Sequence, residues 1–158
     1  MNYTGELTIE PPLNDAEKKA LGIFFEVRHP RTVNGPLDIR KSLTANHPDV
    51  TGWNTPAQDM PGLHCDLEVS DTGTLKWNGH DDAGDLTPWV KYVVDYFLRP
   101  SGVFSEKAKL VAEDDLLYSF TFDHTVNGVI QGVDGPEIWR IHVKANEVVR
   151  EVMKTEGS

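Results

Sequence analysis

Period-two alternation of apolar and polar residues recurs along this chain and limits its fold more than any other feature. A strand that alternates offers one face to a core and the other to water. From Tyr3 to Glu10, Tyr3, Gly5, Leu7 and Ile9 share one face, and Thr4, Glu6, Thr8 and Glu10 share the other. Leu63 to Ser70 and Thr74 to Trp77 read as a hairpin around Asp71-Thr72-Gly73, with Cys65, Leu67, Val69, Leu75 and Trp77 on its apolar face. Glu137 to Lys144 turns Trp139, Ile141 and Val143 inward and Arg140, His142 and Lys144 outward. Leu117 to Gly132 is strand-like, either continuous, bulged at Gly128 or folded into a hairpin at Asn127-Gly128. Turns at Asp134-Gly135-Pro136 and Asn146 lead to a last strand, Val148 to Met153.

Two segments have helical spacing instead. Asn14 with Glu17 three residues on resembles a capping box; Ala16, Ala20 and Leu21 follow, and Gly22 is placed to end the helix. Phe24 to Arg28 reads equally as a short strand or as more of that helix. Thr87-Pro88 opens the second helix, with Trp89, Val90, Val93, Val94 and Phe97 as its stripe and Pro100 with Gly102 as its stop. Tyr92 and Tyr96 are expected to flank the stripe with their hydroxyls in water. Residues 29–62 are broken by Pro30, Pro36, Pro48, Pro56 and Pro61, with a helical turn expected at 38–45. The expected fold is α+β: an antiparallel sheet with two helices on one face, in the ferredoxin-like β-α-β-β-α-β order, plus extra C-terminal strands. It is expected as one domain over 1–158 with a long irregular insertion at 29–62.

Charge is segregated. Of 25 acids and 15 bases, giving a net −10, residues 59–137 hold 15 acids and 5 bases. Two clusters stand out, Asp81, Asp82 and Asp85, and Glu113, Asp114 and Asp115. Such a field repels nucleic acid and anionic membrane and attracts basic proteins. It also serves simply as a solvated surface. No apolar run approaches a membrane span, and the first residues lack the basic start and apolar stretch of a signal peptide, so a cytoplasmic location is expected.

Little in the sequence carries chemistry. Phosphate-binding, dinucleotide, nucleophile-elbow and zincin motifs are absent. In His64-Cys65-Asp66, strand alternation sends His64 and Cys65 to opposite faces, which argues against a shared ligand and makes Cys65 a small core residue. The loop from Gly79 to Asp85 lacks the spacing of a calcium loop, and Asp85 or Thr87 suits a helix cap. His124 and His142, on expected strands, read as packed or solvated. Trp53, in Gly52-Trp53-Asn54, either pins its loop to the body or anchors a partner. No cofactor and no metal ion is expected.

Gly5-Glu-Leu-Thr-Ile-Glu-Pro-Pro-Leu13, Thr72-Gly-Thr-Leu-Lys-Trp-Asn-Gly79 and Trp89-Val-Lys-Tyr-Val-Val-Asp-Tyr-Phe97 are motif blocks of a recognisable kind. With Phe120 to Ile130 and Ile138 to Val143, they resemble a family of small acidic proteins of actinobacteria and their bacteriophages. The turn Gly132-Val-Asp-Gly-Pro-Glu137 departs from the G-E-x-x-x-D of that family. The resemblance skips residues 28–62 and implies a phage-related setting, with no established activity to carry over.

The expectation is therefore a non-enzymatic acidic accessory protein, phage-encoded, that binds a host or phage protein through Asp81, Asp82, Asp85, Glu113, Asp114, Asp115 and Trp53. An antitoxin or immunity-type inhibitor is one alternative. Others are a virion component, and a small ligand-binding domain or enzyme using the outer sheet face, with His64, Arg140 and His142 toward the ligand.

Overall fold

A computed structural model of the chain describes residues 2–32, 50–56, 60–80, 83–110 and 116–153. The strands are β1 (Asn2–Glu10), β2 (Pro30–Thr32), β3 (Val50–Pro56), β4 (Leu67–Val69), β5 (Leu75–Trp77), β6 (Thr125–Asp134), β7 (Glu137–Lys144) and β8 (Glu147–Val152). The helices are α1 (Asp15–Glu26), α2 (Thr87–Val93, continued by a π-helical turn at Val94–Leu98) and a single turn, α3 (Ser105–Ala108).

Six strands make one antiparallel sheet in the order β4-β5-β1-β6-β7-β8. Its first four strands, in chain order, stand second, third, first, fourth. Two interlocked β-α-β units produce that order, each leaving a gap for a strand of the other. β7 and β8 then extend the sheet as a meander. The centre is the β1–β6 pair, which runs unbroken from Asn2 opposite Val133 to Glu10 opposite Thr125. Its inward residues Leu7, Val126 and Ile130, with Leu75 and Ile141 beside them, are fully buried.

Both main helices cover this inner face. The Asn14 side chain accepts the Glu17 N–H at 2.7 Å, and the Glu17 carboxylate accepts the Asn14 N–H at 2.9 Å, so the expected capping box starts α1. The helix does not stop at Gly22 but runs on to Glu26. An interior glycine costs about 1 kcal/mol, whereas burying a phenylalanine gains about 1.5–3 kcal/mol, and the extension buries both Phe24 and Phe25. Phe24 is the hub between helices: its ring centroid lies 5.0 Å from Phe97 and 6.1 Å from both Trp89 and Tyr92. Tyr92 is itself buried and stacks on Tyr96 at 4.0 Å, further inside than a flanking position.

Three strand expectations shift. β4 begins at Leu67, and residues 63–66 are irregular. The run from Leu117 opens with a 3-10 turn (Leu116–Ser119), and Phe122 has φ +52°, so the strand starts only at Thr125. Phe120 is then free to pack on Phe97, at 5.1 Å. Asn127-Gly128 makes no hairpin; β6 passes through it. A Cβ at Gly128 would sit 2.7 Å from the Glu6 carbonyl oxygen, so glycine here permits close strand approach rather than a turn. The tight turn falls at Ala145-Asn146, both with positive φ. Within the segment expected to be irregular, β2 and β3 pair as a separate two-stranded sheet. The helical turn expected at 38–45 lies outside the described residues.

Two glycines predict opposite outcomes. A Cβ on Gly132 would meet the Trp139 ring at 2.5 Å and the Tyr3 ring at 2.7 Å, whereas one on Gly22 meets nothing within 4 Å. Urea denaturation is expected to show Gly132→Ala destabilised by about 1–3 kcal/mol and Gly22→Ala stabilised by up to about 1 kcal/mol. Equal effects would contradict this packing.

Candidate functional site

The structure distributes the residues singled out in the sequence over separate places. Asp85 serves its own fold: Oδ1 accepts the Thr87 N–H at 2.9 Å and the Thr87 hydroxyl at 2.6 Å, which closes the start of α2. Its Oδ2 lies 2.9 Å from Nε of Arg150, whose guanidinium covers the Trp139 ring at 5.1 Å. Asp81, Asp82, Glu113, Asp114 and Asp115 lie outside the described residues. Trp53, half-buried on β3, is held by Arg28, which stacks 4.7 Å from its ring centroid. Arg28 also donates to the Trp53 carbonyl at 3.2 Å and to Asn54 Oδ1 at 2.9 Å.

Arg140 and His142 share the outer face of β7. Arg140 donates to Gln131 Oε1 at 3.1 Å, and His142 Nε2 lies 3.1 Å from Glu151 Oε2. His64 is not with them. It precedes β4 at the far edge of the sheet, four strands from β7, and its ring meets Arg28 at 3.4 Å. The outer face thus brings two of the three ligand-face residues together and leaves His64 elsewhere.

One buried constellation escaped the sequence. Glu17 and His124, 107 residues apart, are both about 1% exposed, and His124 Nε2 lies 2.8 Å from Glu17 Oε2. His124 Nδ1 donates to the Pro11 carbonyl at 2.6 Å, and with Nε2 facing the Glu17 side chain both ring nitrogens meet acceptors, an arrangement that favours the protonated ring. Burial opposes that charge, but the Glu17 and Pro11 hydrogen bonds and the charges of Glu17 and Asp123 outweigh it and raise the His124 pKa. Thr121 Oγ1 lies 3.2 Å from the same Nε2. In a nucleophile–histidine–carboxylate triad the hydroxyl and the carboxylate use different ring nitrogens. Here they share one, so the ring cannot take the hydroxyl proton, and the group is a clamp between α1 and the approach to β6. The capping box is the one sequence signal that marked Glu17; nothing local marks its partner.

A second buried histidine does the opposite. His29 Nε2 donates to the Phe24 carbonyl at 2.7 Å at the end of α1, and desolvation pushes its pKa down to about 4. Cys65 is also inside, and burial raises its thiol well above the ordinary range, which leaves no thiolate for chemistry.

Three clefts lie at the β4–β5 end of the sheet, and another, of about 410 Å³, lies by the β7–β8 turn, where Asp95 and Glu147 are matched by Lys91 and Arg99. β1 pairs with β5 at one position, Leu7 opposite Leu75, and beyond it the strands part around a cleft of about 630 Å³ whose rim includes Glu6, Glu68 and Lys76. A cleft of about 470 Å³ lies between α1 and the edge of β4, rimmed by Lys18, Glu26, Glu68 and Asp71. A third, of about 450 Å³, is lined by Glu26, His64, Asp66 and His80, with His80 Nδ1 3.4 Å from Asp66 Oδ1. Asn78 borders all three. Five carboxylates therefore stand over these clefts against two lysines. Sequence reading missed this rim because Glu6 on β1 and Glu26 on α1 join Asp66, Glu68 and Asp71 from a third stretch, and none of the three is an unbroken run of acids.

Among the described residues no group of three or more His, Cys, Asp or Glu is arranged to hold a metal ion, and no helix is long and apolar enough to cross a membrane. Comparison with protein-family models, curated proteins and solved structures finds no match for this chain.

The two histidines predict opposite pH dependences. His29 binds its proton less well folded than unfolded. Its contribution is full above pH about 6.5 and falls toward pH 4, by about 3 kcal/mol in all. His124 binds its proton better folded, so its contribution is full below pH about 6.5 and is lost as pH rises through the raised folded value. Denaturant midpoints of His29→Gln and His124→Gln, each compared with wild type from pH 4 to 8.5, are expected to diverge in opposite directions. Differences that stay constant with pH would contradict these assignments.

Proposed function

We propose that this chain is a non-enzymatic acidic accessory protein that acts by binding a basic protein, with the clefted β4–β5 end of its sheet as the contact face. One observation carries the reading: the three clefts at this end carry an uneven charge, Glu6, Glu26, Asp66, Glu68 and Asp71 against Lys18 and Lys76, whereas the cleft by the β7–β8 turn is balanced. Carboxylates around a recess focus the field outward, which speeds encounter with cations and disfavours acidic competitors. The segment 59–137, with 15 acids against 5 bases, holds the chain's net negative charge. The groups with catalytic potential support a binding role: Cys65 is buried, and His124 is committed to Glu17 and Pro11. The resemblance of the strand and turn motifs to phage and actinobacterial proteins is the ground for placing it in a phage-related setting. A single stoichiometric partner would narrow the reading to an antitoxin or immunity-type inhibitor.

The test is a pull-down from host lysate at low and high salt with wild type, with the triple variant Glu26→Lys/Glu68→Lys/Asp71→Lys, and with Glu147→Lys on the opposite edge. The expected result is one partner, released by salt, weakened about tenfold or more by the triple variant and unaffected by Glu147→Lys. A partner indifferent to salt and to the triple reversal, or no partner at either salt, would overturn the reading.

A further inference from the structure

β4 ends the sheet, and the alternation of its hydrogen bonds fixes which backbone groups it leaves open. Ser70 N–H donates to the Thr74 carbonyl at 2.8 Å, and Asn78 N–H donates to the Asp66 carbonyl at 3.0 Å. With Glu68 opposite Lys76 between them, the even-numbered residues of β4 bond to β5. Leu67 and Val69 therefore turn their backbone groups to the free edge. The Leu67 N–H is taken by the Cys65 sulfur. The Val69 N–H, the Val69 carbonyl and the Leu67 carbonyl face the edge, and no described strand lies beyond them.

That edge does not open onto bulk solvent. It opens into the cleft of about 470 Å³ whose other wall is α1, with Phe25 and Gly22 toward it. Gly22 leaves a notch, since a Cβ there would meet nothing within 4 Å. A strand edge facing a helix across a slot is the geometry in which an extended peptide is taken up as an added strand: backbone bonds give affinity and alternate side chains give specificity. The two sides of the slot differ. Side chains on the helix side meet Phe25 and the Gly22 notch. Side chains on the other side stand by Glu68, and the ends of the slot are bordered by Glu26 and Lys18 of α1 and by Asp71.

We propose that the β4–α1 slot binds an extended segment of a partner protein, in which apolar residues alternate with lysine or arginine, as an additional strand on β4. This rests on the binding reading above and names the partner's chemistry. Apolar residues of the segment fill the Gly22 notch and cover Phe25; its cations pair with Glu68, Glu26 and Asp71. The Val69 amide and carbonyl and the Leu67 carbonyl supply three backbone hydrogen bonds.

Synthetic peptides test this with the whole chain. The probe is a labelled peptide of alternating valine and lysine. One control has the same composition in two blocks, and another carries a central proline. Fluorescence anisotropy is read for wild type, Val69→Pro and Gly22→Leu. Val69→Pro removes an edge-facing N–H without touching the bonds to β5. Gly22→Leu fills the notch at a helical position that leucine suits, and it alters no charge. The expected result is binding of the alternating peptide at least about tenfold tighter than either control, and a loss of at least about tenfold in each variant. Equal binding of the block or proline peptide would overturn the proposal, because charge alone would then account for capture. Unchanged affinity in Gly22→Leu, or no binding of the alternating peptide, would overturn it too. The pull-down judges the broader reading separately: a salt-released partner that binds Gly22→Leu normally leaves the acidic face standing and removes the strand-addition slot.

Discussion

The long antiparallel pair of β1 and β6 is the constraint on which the rest of the structure depends. It joins the two ends of the chain and places nine residues of β1 in continuous register with β6. Its inward residues form the floor on which both helices rest. Backbone detail makes the pair close: Gly5 and Gly128 face each other's strands at positive φ, where a Cβ would fall 2.4 Å from the Val129 carbonyl oxygen and 2.7 Å from the Glu6 carbonyl oxygen. Phe24 then locks α1 to α2 above that floor, and the Glu17–His124 ion pair ties the start of α1 to the segment that feeds β6. Buried ion pairs are costly to make and more costly to break from one side.

The same arrangement explains why the β4–β5 end of the sheet carries clefts. β1 spends its pairing on β6 and kinks at Gly5, so β5 is held to it at one position. β4 and β5 are three residues each and pair mainly with one another. The hairpin's inward residues Leu67 and Leu75 are buried in the core, and the recesses over which the carboxylates gather lie around it. The opposite end differs: β7 and β8 are longer, Arg150 is committed to Asp85 and Trp139, and the outer face offers paired side chains such as His142 with Glu151.

Much of the architecture was legible because it is periodic. The alternation of Tyr3 to Glu10 and of Glu137 to Lys144 gave the correct buried faces, and the Asn14–Glu17 box gave the correct helix start. The sheet class and helix placement follow from those patterns together. Packing overruled a local signal at Gly22, which did not end α1 because Phe24 and Phe25 had a core to enter, and it decided between the open readings at Asn127-Gly128, where β6 runs through because glycine there lets it lie close to β1. The candidate site was far less legible. The acidic rim collects single residues from distant segments, and the open edge of β4 is a property of strand order that no local motif encodes. Trp53 was readable only as one of two roles, and nothing local in the sequence marked Arg28 as the residue that stacks on its ring.

Residue-by-residue native-state hydrogen exchange tests the central claim most directly, a tight β1–β6 centre with a loosely secured β4–β5 edge. The account predicts that amides of the β1–β6 and β6–β7 ladders exchange only through global unfolding. The Glu68, Ser70, Leu75 and Lys76 amides should exchange through local opening, at a clearly lower free energy. Uniform protection across all six strands, with the β4–β5 amides as slow as those of β6, would contradict it.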